Sequence, residues 1–162
     1  MNFGYTVDEP SSCAVMDAAI DAGINFFDTA DVYGGPQSPD MKQGYGIAEE
    51  TVGRWLRRSG HRDDIVLATK VLQPMGLGPN NRRLSAYHIR RAHEASLRRL
   101  QTDHIDLYQM HHLDRATPWE EIWQAMEQLV RDGKISYVGS SNFAAWHVAL
   151  AECAASARHF MG

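Results

Sequence analysis

The feature that most restricts the fold is a regular alternation of short apolar runs with longer helical patterns along the 162 residues. Runs rich in β-branched and aromatic residues occur at Ile24–Ala30, Ile65–Thr69, Ile105–Met110 and Ile135–Gly139. Between them, apolar residues recur at helical spacing. Ser11 or Ser12 is placed to cap a first helix carrying Val15, Ala18, Ala19 and Ala22 on one face, with Gly23 as its stop. A second helix is expected from about Ile47 through Thr51, Trp55 and Leu56 to Gly60. Ser85 caps a third with Ile89, Ala92, Leu97 and Leu100 on one side. The clearest stripe is Trp119, Ile122, Trp123, Met126, Leu129 and Val130, ending near Gly133, and a last helix is expected from Ala145 to Arg158. Strand–helix units recurring roughly every 30 to 40 residues call for parallel strands joined by crossovers of one hand. Such strands are expected to be apolar on both faces.

Two architectures satisfy that pattern, an open doubly wound sheet and a closed (β/α)8 barrel. No glycine fingerprint joins a first strand to a helix. Gly76-Leu77-Gly78-Pro79 follows Lys70 in a loop, where Pro79 suits a turn better than a phosphate cradle. The barrel is therefore favoured, as a single α/β domain over 1–162 with no linker. Net charge is −4, which supplies no field for nucleic acid or anionic lipid, so neither is expected as a partner. No stretch reaches the length of a membrane span, and no leader is apparent. Cys13 and Cys153 stand in no metal or redox spacing. They read as small core residues of a protein in the reducing cytoplasm.

Each strand ends beside a residue with chemistry to offer. Asp28 lies near the end of the first run and Tyr33 five residues later; Lys70, His111 and Ser141–Asn142 close the next three. In a parallel barrel the C-terminal strand ends converge on one mouth, so these side chains can meet there. Their chemistry is coherent. A phenol, ordinarily titrating near 10, becomes a better acid beside an ammonium, and a carboxylate keeps that ammonium charged. An imidazole can orient a carbonyl, and a hydroxyl with an amide can hold a carboxamide. The set reads as proton donation to a carbonyl that receives a hydride from elsewhere. Ser141–Asn142 could instead cap the last helix. His111 and His112 with Asp114 offer a metal-hydrolase alternative, which the opposite facing of neighbouring strand residues disfavours, so no metal is expected.

The stretches FFDTADVYGG (Phe26–Gly35), IVLATK (Ile65–Lys70), HIDLYQMHH (His104–His112) and YVGSSNF (Tyr137–Phe143) resemble the signatures of aldo-keto reductases. The order and spacing agree over essentially the whole chain. The insertion Pro36–Tyr45 is similar to the bacterial branch related to potassium-channel β subunits. The resemblance implies NADPH, or NADH, as cofactor and a small-molecule aldehyde or ketone as substrate. It implies Tyr33 as general acid, Lys70 as the residue that tunes it, Asp28 as the carboxylate on Lys70 and His111 as the carbonyl-orienting imidazole. Ser141 and Asn142 match residues that hold the nicotinamide carboxamide, and His112 a position that lines the substrate pocket. A non-catalytic, nicotinamide-binding regulatory module is the alternative implied by the channel-associated relatives.

The resemblance also implies a partial (β/α)8 barrel. Met1–Gly4 corresponds to the end of the first strand, Gly162 falls where a sixth strand would begin, and the last three units are missing. Those units supply most phosphate contacts in relatives, so weak cofactor binding is expected. Exposed barrel edges give an expectation of self-association.

Overall fold

The computed structural model describes residues 2–38 and 40–160. It contains β1 (Phe26–Asp28), β2 (Val66–Val71), β3 (Ile105–Met110) and β4 (Ile135–Ser140). Between and around them run α1 (Glu9–Asp21), α2 (Ile47–Ser59), α3 (Ala86–Leu100), α4 (Trp119–Arg131) and α5 (Ala145–Ser156), with a short 3-10 turn at His61–Asp64. The sheet is four-stranded, in the order β1-β2-β3-β4, and every pairing is parallel. A doubly wound sheet reverses its order at a switch point. This one does not reverse, and successive crossovers stack helices on one face, as in a barrel wall.

Local chemistry explains the elements. Gly60, in the left-handed region at φ 77°, stops α2. Ser85 accepts from the His88 N–H and starts α3. Ile122, Trp123, Met126 and Leu129 of α4 are buried, as the stripe requires. The first helix departs from expectation. Asp8, not Ser11 or Ser12, caps α1 by accepting from the Ser11 N–H at 2.9 Å. Its buried face is Ser12, Cys13 and Met16, while Val15 is 55% exposed. The Trp55 indole N–H donates to Asp17 at 2.6 Å and sets the rotation of α1 against α2. Cys153 is exposed, contrary to its reading as a core residue; Cys13 is buried.

The core lies between the sheet and the helices, around Trp55, Leu67, Tyr108, Ile122 and Met126. Phe27 stacks on Trp55, so its neighbours Phe26 and Asp28 face the other side of β1. That side is open: Phe26 is 51% and Tyr137 69% exposed. The expectation of strands covered on both faces therefore fails at the outer strands. The first run also shortens, with Ile24 exposed ahead of β1.

At the start of the chain, Phe3 makes an isolated bridge to Val7 across a turn and does not join the sheet. Part of the expected first-strand end, Met1, lies outside the described residues. So do residue 39 of the 36–45 insertion and residues 161–162. Among the described residues no helix is long and apolar enough to cross a membrane.

Candidate active site

The parallel register brings the expected residues together. Asp28 pairs with Ala68 and Lys70 with Gln109, one pleat further along. Lys70 is buried, 5% exposed. Its ammonium donates to Asp28 Oδ2 and, at 2.8 Å, to the Thr29 carbonyl. Gln109 Nε2 donates to Asp28 Oδ1 at 2.7 Å, so two strands hold both oxygens of one carboxylate.

Tyr33 is held over this pair by its loop. The Ala48 N–H of α2 donates to the Tyr33 carbonyl, and a Cβ on Gly34 would stand 2.7 Å from that same nitrogen. Gly34 also adopts φ 109°, so glycine is required on both counts. The Tyr33 hydroxyl lies 3.3 Å from His111 Nε2, with the rings edge to face at 5.5 Å. Lys70 Nζ sits 5.3 Å from the centre of the Tyr33 ring, over its face.

The electrostatics differ from expectation at one point. Burial pushes the Tyr33 phenol above its usual value, and the charges of Asp28 and Asp31 push it further in the same direction. The Lys70 ammonium donates to Asp28 and Thr29, and among the described residues it makes no hydrogen bond to the phenol. Burial lowers His111 to about 4, helped by the Lys70 and His112 charges, and the imidazole is neutral at physiological pH. Its Nδ1 is buried without a partner among the described residues.

Asn142 adopts φ 58°, and its Nδ2 donates to the His111 carbonyl at 2.9 Å and to Ser141 Oγ at 3.0 Å. Neither residue caps α5; Ala144 occupies the cap, where its N–H donates to His147 Nδ1. With its two N–H groups so used, Asn142 turns its side-chain oxygen toward a role as acceptor. That oxygen and the Ser141 hydroxyl form the donor–acceptor set a carboxamide requires. His112 stacks on His111 at 5.2 Å and is exposed, since residue 112 lies beyond the end of β3 and escapes strand alternation. Asp114 is taken up by the backbone N–H groups of Leu84 and Ala116 and by the Thr117 hydroxyl.

Tyr33, His111, His112 and Asn142 line one cleft of about 680 Å³, together with Gln37, Ser38, Met41, Gln73, Pro74 and Arg82. Sequence reasoning missed Gln109, although it lies near the end of β3, two residues before His111. It also missed the layer behind Lys70. There Glu49 accepts from the Thr69 hydroxyl and from Arg99, each at 2.6 Å, and Asp31 is fully buried.

The chain is 52% identical to the uncharacterized oxidoreductase YrpG of Bacillus subtilis, over 100% of this chain and 49% of that protein. It is 35% identical to a probable voltage-gated potassium channel subunit beta of Arabidopsis thaliana, over 100% of this chain and 46% of that one. Protein tas of Escherichia coli is also 35% identical, over 91% of this chain and 48% of its own length. The chain thus spans about half the length of the curated relatives it matches. The model of the aldo/keto reductase family matches residues 1–160, and the chain belongs to that family.

Proposed function

We propose that this chain carries the proton-donating half of an NADPH-dependent carbonyl reductase, which converts an aldehyde or ketone to an alcohol. The observation that carries the reading is the 3.3 Å approach of the Tyr33 hydroxyl to His111 Nε2, both residues lining the cleft. A carbonyl oxygen placed there comes within hydrogen-bond reach of both groups.

In this reading Tyr33 is the general acid. Its phenol stays protonated at neutral pH and transfers that proton to the substrate oxygen as alkoxide character develops. Neutral His111 hydrogen-bonds the same oxygen and fixes its direction. Lys70 and Asp28 form the charged base of the site. The Lys70 ammonium, 5.3 Å from the Tyr33 ring centre, stabilises the phenolate left behind once the proton has moved. The nicotinamide, when bound, supplies the hydride. Ser141 and Asn142 would hold its carboxamide, and His112 lines the substrate side of the cleft. NADH would meet the same carboxamide contacts.

The test is consumption of NADPH by the purified full chain with a panel of aldehydes, beside Tyr33→Phe. The expected result is turnover that Tyr33→Phe lowers by about 10²- to 10⁴-fold, the usual worth of a positioned acid. Turnover unaffected by Tyr33→Phe would sink the assignment. NADPH binding with no turnover of any carbonyl would instead favour a regulatory nicotinamide-binding module, the second reading that similarity to a channel subunit supports.

A further inference from the structure

We infer that the cleft over Tyr33 and His111 takes carbonyl compounds bearing an anionic group, and that Arg82 is the side chain that selects them. The inference rests on the reductase reading above and names the substrate class for that same site.

Among the described residues lining the cleft, Arg82 is the single permanently charged one, and no carboxylate joins it. His111 adds no positive charge at neutral pH, because burial keeps its imidazole neutral. The Lys70 charge is compensated at close range by Asp28. Arg82 therefore supplies the one permanent charge among the described residues lining the cleft, in a chain whose net charge is −4.

The loop from β2 to α3 accounts for the placement of that guanidinium. The Arg83 N–H donates to the Leu72 carbonyl at 2.6 Å, and the Met75 N–H to the Asn81 carbonyl at 2.8 Å. These bonds close the loop at its stem, so Arg82 sits where the chain is tied rather than at a free tip. The next residue, Arg83, adopts φ 73° and directs its guanidinium to the buried carboxylate of Asp114 at 3.4 Å. Two consecutive arginines are thus divided. Arg83 is paired with a carboxylate, whereas Arg82 has no ion pair among the described residues and lines the same cleft as Tyr33 and His111. An unpaired guanidinium presents a planar fork of donors that fits carboxylate or phosphate oxygens. A substrate with its carbonyl over Tyr33 and an anionic group at its other end would engage both Tyr33 and Arg82 within the one cleft.

The experiment compares 4-carboxybenzaldehyde with benzaldehyde, two probes that differ in one charged group. Calorimetric binding to the full chain is measured without and then with NADPH, and NADPH consumption is followed in parallel. The carboxylate-bearing aldehyde should bind roughly fivefold more tightly, the upper range for one solvent-accessible ion pair, and added salt should shrink the difference. Arg82→Gln should bring the two aldehydes to within about twofold of each other, while Arg82→Lys keeps part of the preference. Equal binding by the parent chain, no binding by either probe, or a preference that survives Arg82→Gln overturns the inference. So does a loss of NADPH affinity in Arg82→Gln without loss of the preference, which would make Arg82 a contact of the cofactor's own phosphates. A carboxylate preference that depends on Arg82, in a chain that consumes no NADPH, would sink the reductase reading alone and leave the anion-selecting cleft standing.

Discussion

Tyr33 and His111, 78 residues apart in the chain, meet through the phenol hydroxyl and Nε2 at 3.3 Å. The meeting depends on two separate anchors. The Ala48 N–H of α2 holds the Tyr33 carbonyl, and the His111 N–H donates to the Val71 carbonyl at 3.0 Å. In the proposed reaction, a substrate oxygen entering between the side chains would take over a hydrogen-bond site that already exists, so little reorganisation would be needed at the moment of proton transfer.

His111 makes stability depend on pH with a definite sign. Its folded value, about 4, lies below the ordinary histidine value of 6.5. Between those limits the unfolded chain binds the extra proton, so stability is complete above about pH 6.5 and declines as pH falls toward 4, by up to about 3 kcal/mol. Burial lowers His88 and His93 as well, in the same direction. Asp31 acts oppositely, because burial and the Glu49 charge raise its carboxyl well above the ordinary value. Comparing the parent with His111→Gln cancels these shared contributions. Urea unfolding at intervals from pH 4.5 to 7.5 should give the variant a distinctly flatter slope.

The Lys70–Asp28 pair couples two strands at an edge of the site. Asp28 is 43% exposed while Lys70 is 6% exposed by side chain, so removing the carboxylate leaves a buried ammonium with only neutral acceptors. Asp28→Asn should cost about 1–2 kcal/mol, less than a fully buried pair because water reaches one partner. A double-mutant cycle with Lys70→Met measures the coupling directly. Additive effects of the two changes would show the pair to be energetically silent.

Gly53 governs how closely α2 approaches α3. A Cβ there would lie 2.7 Å from the carbonyl carbon of Leu100 and would also collide with the Arg99 carbonyl oxygen. Alanine is worth about 1 kcal/mol over glycine inside a helix, but backbone cannot rotate out of the way as a side chain can. The clash should win. Gly53→Ala is expected to destabilise by roughly 2 kcal/mol net, seen as a lower urea midpoint; a rise in that midpoint would contradict the packing described.

Asp114 ties the loops after β2 and β3 together. Burial pushes its carboxyl up, but the N–H of Ala116, the Thr117 hydroxyl, the Leu84 N–H and the Arg83 charge outweigh this and hold it below the ordinary range. Asp114→Ala leaves the Leu84 N–H, 3.0 Å from Asp114 Oδ2, without its acceptor. The expected cost is about 1–3 kcal/mol. Faster amide exchange at residues 82–84 would locate it, and unchanged exchange there would argue against the tie.

Much of this arrangement can be read locally. The stripe of α4, the Ser85 cap and the Gly60 stop lie within single helices, where periodicity and capping depend on near neighbours alone. The strand-end positions of Asp28, Lys70, His111 and Asn142 followed from the same reasoning, because apolar runs end where polar residues begin. Local signals misled at α1. Ser11 and Ser12 are good capping residues, yet Asp8 precedes Pro10 at a turn where its carboxylate reaches the Ser11 N–H. The face of α1 followed α2 and the Trp55–Asp17 hydrogen bond, neither of which periodicity within the helix reveals.

By itself the sequence determined the parallel strand–helix repeat and the kinds of side chain that could gather at one mouth, because both depend on residue type and spacing. Only the tertiary structure decided which groups bond to which. Register across β1, β2 and β3 delivered Lys70 and Gln109 to the same carboxylate. Burial, which no linear pattern measures, raised the phenol and neutralised His111, and the fold placed Arg82 on the lining of the same cleft. A side chain's chemistry is written in its type. Its protonation and its partner are set by what the fold packs around it.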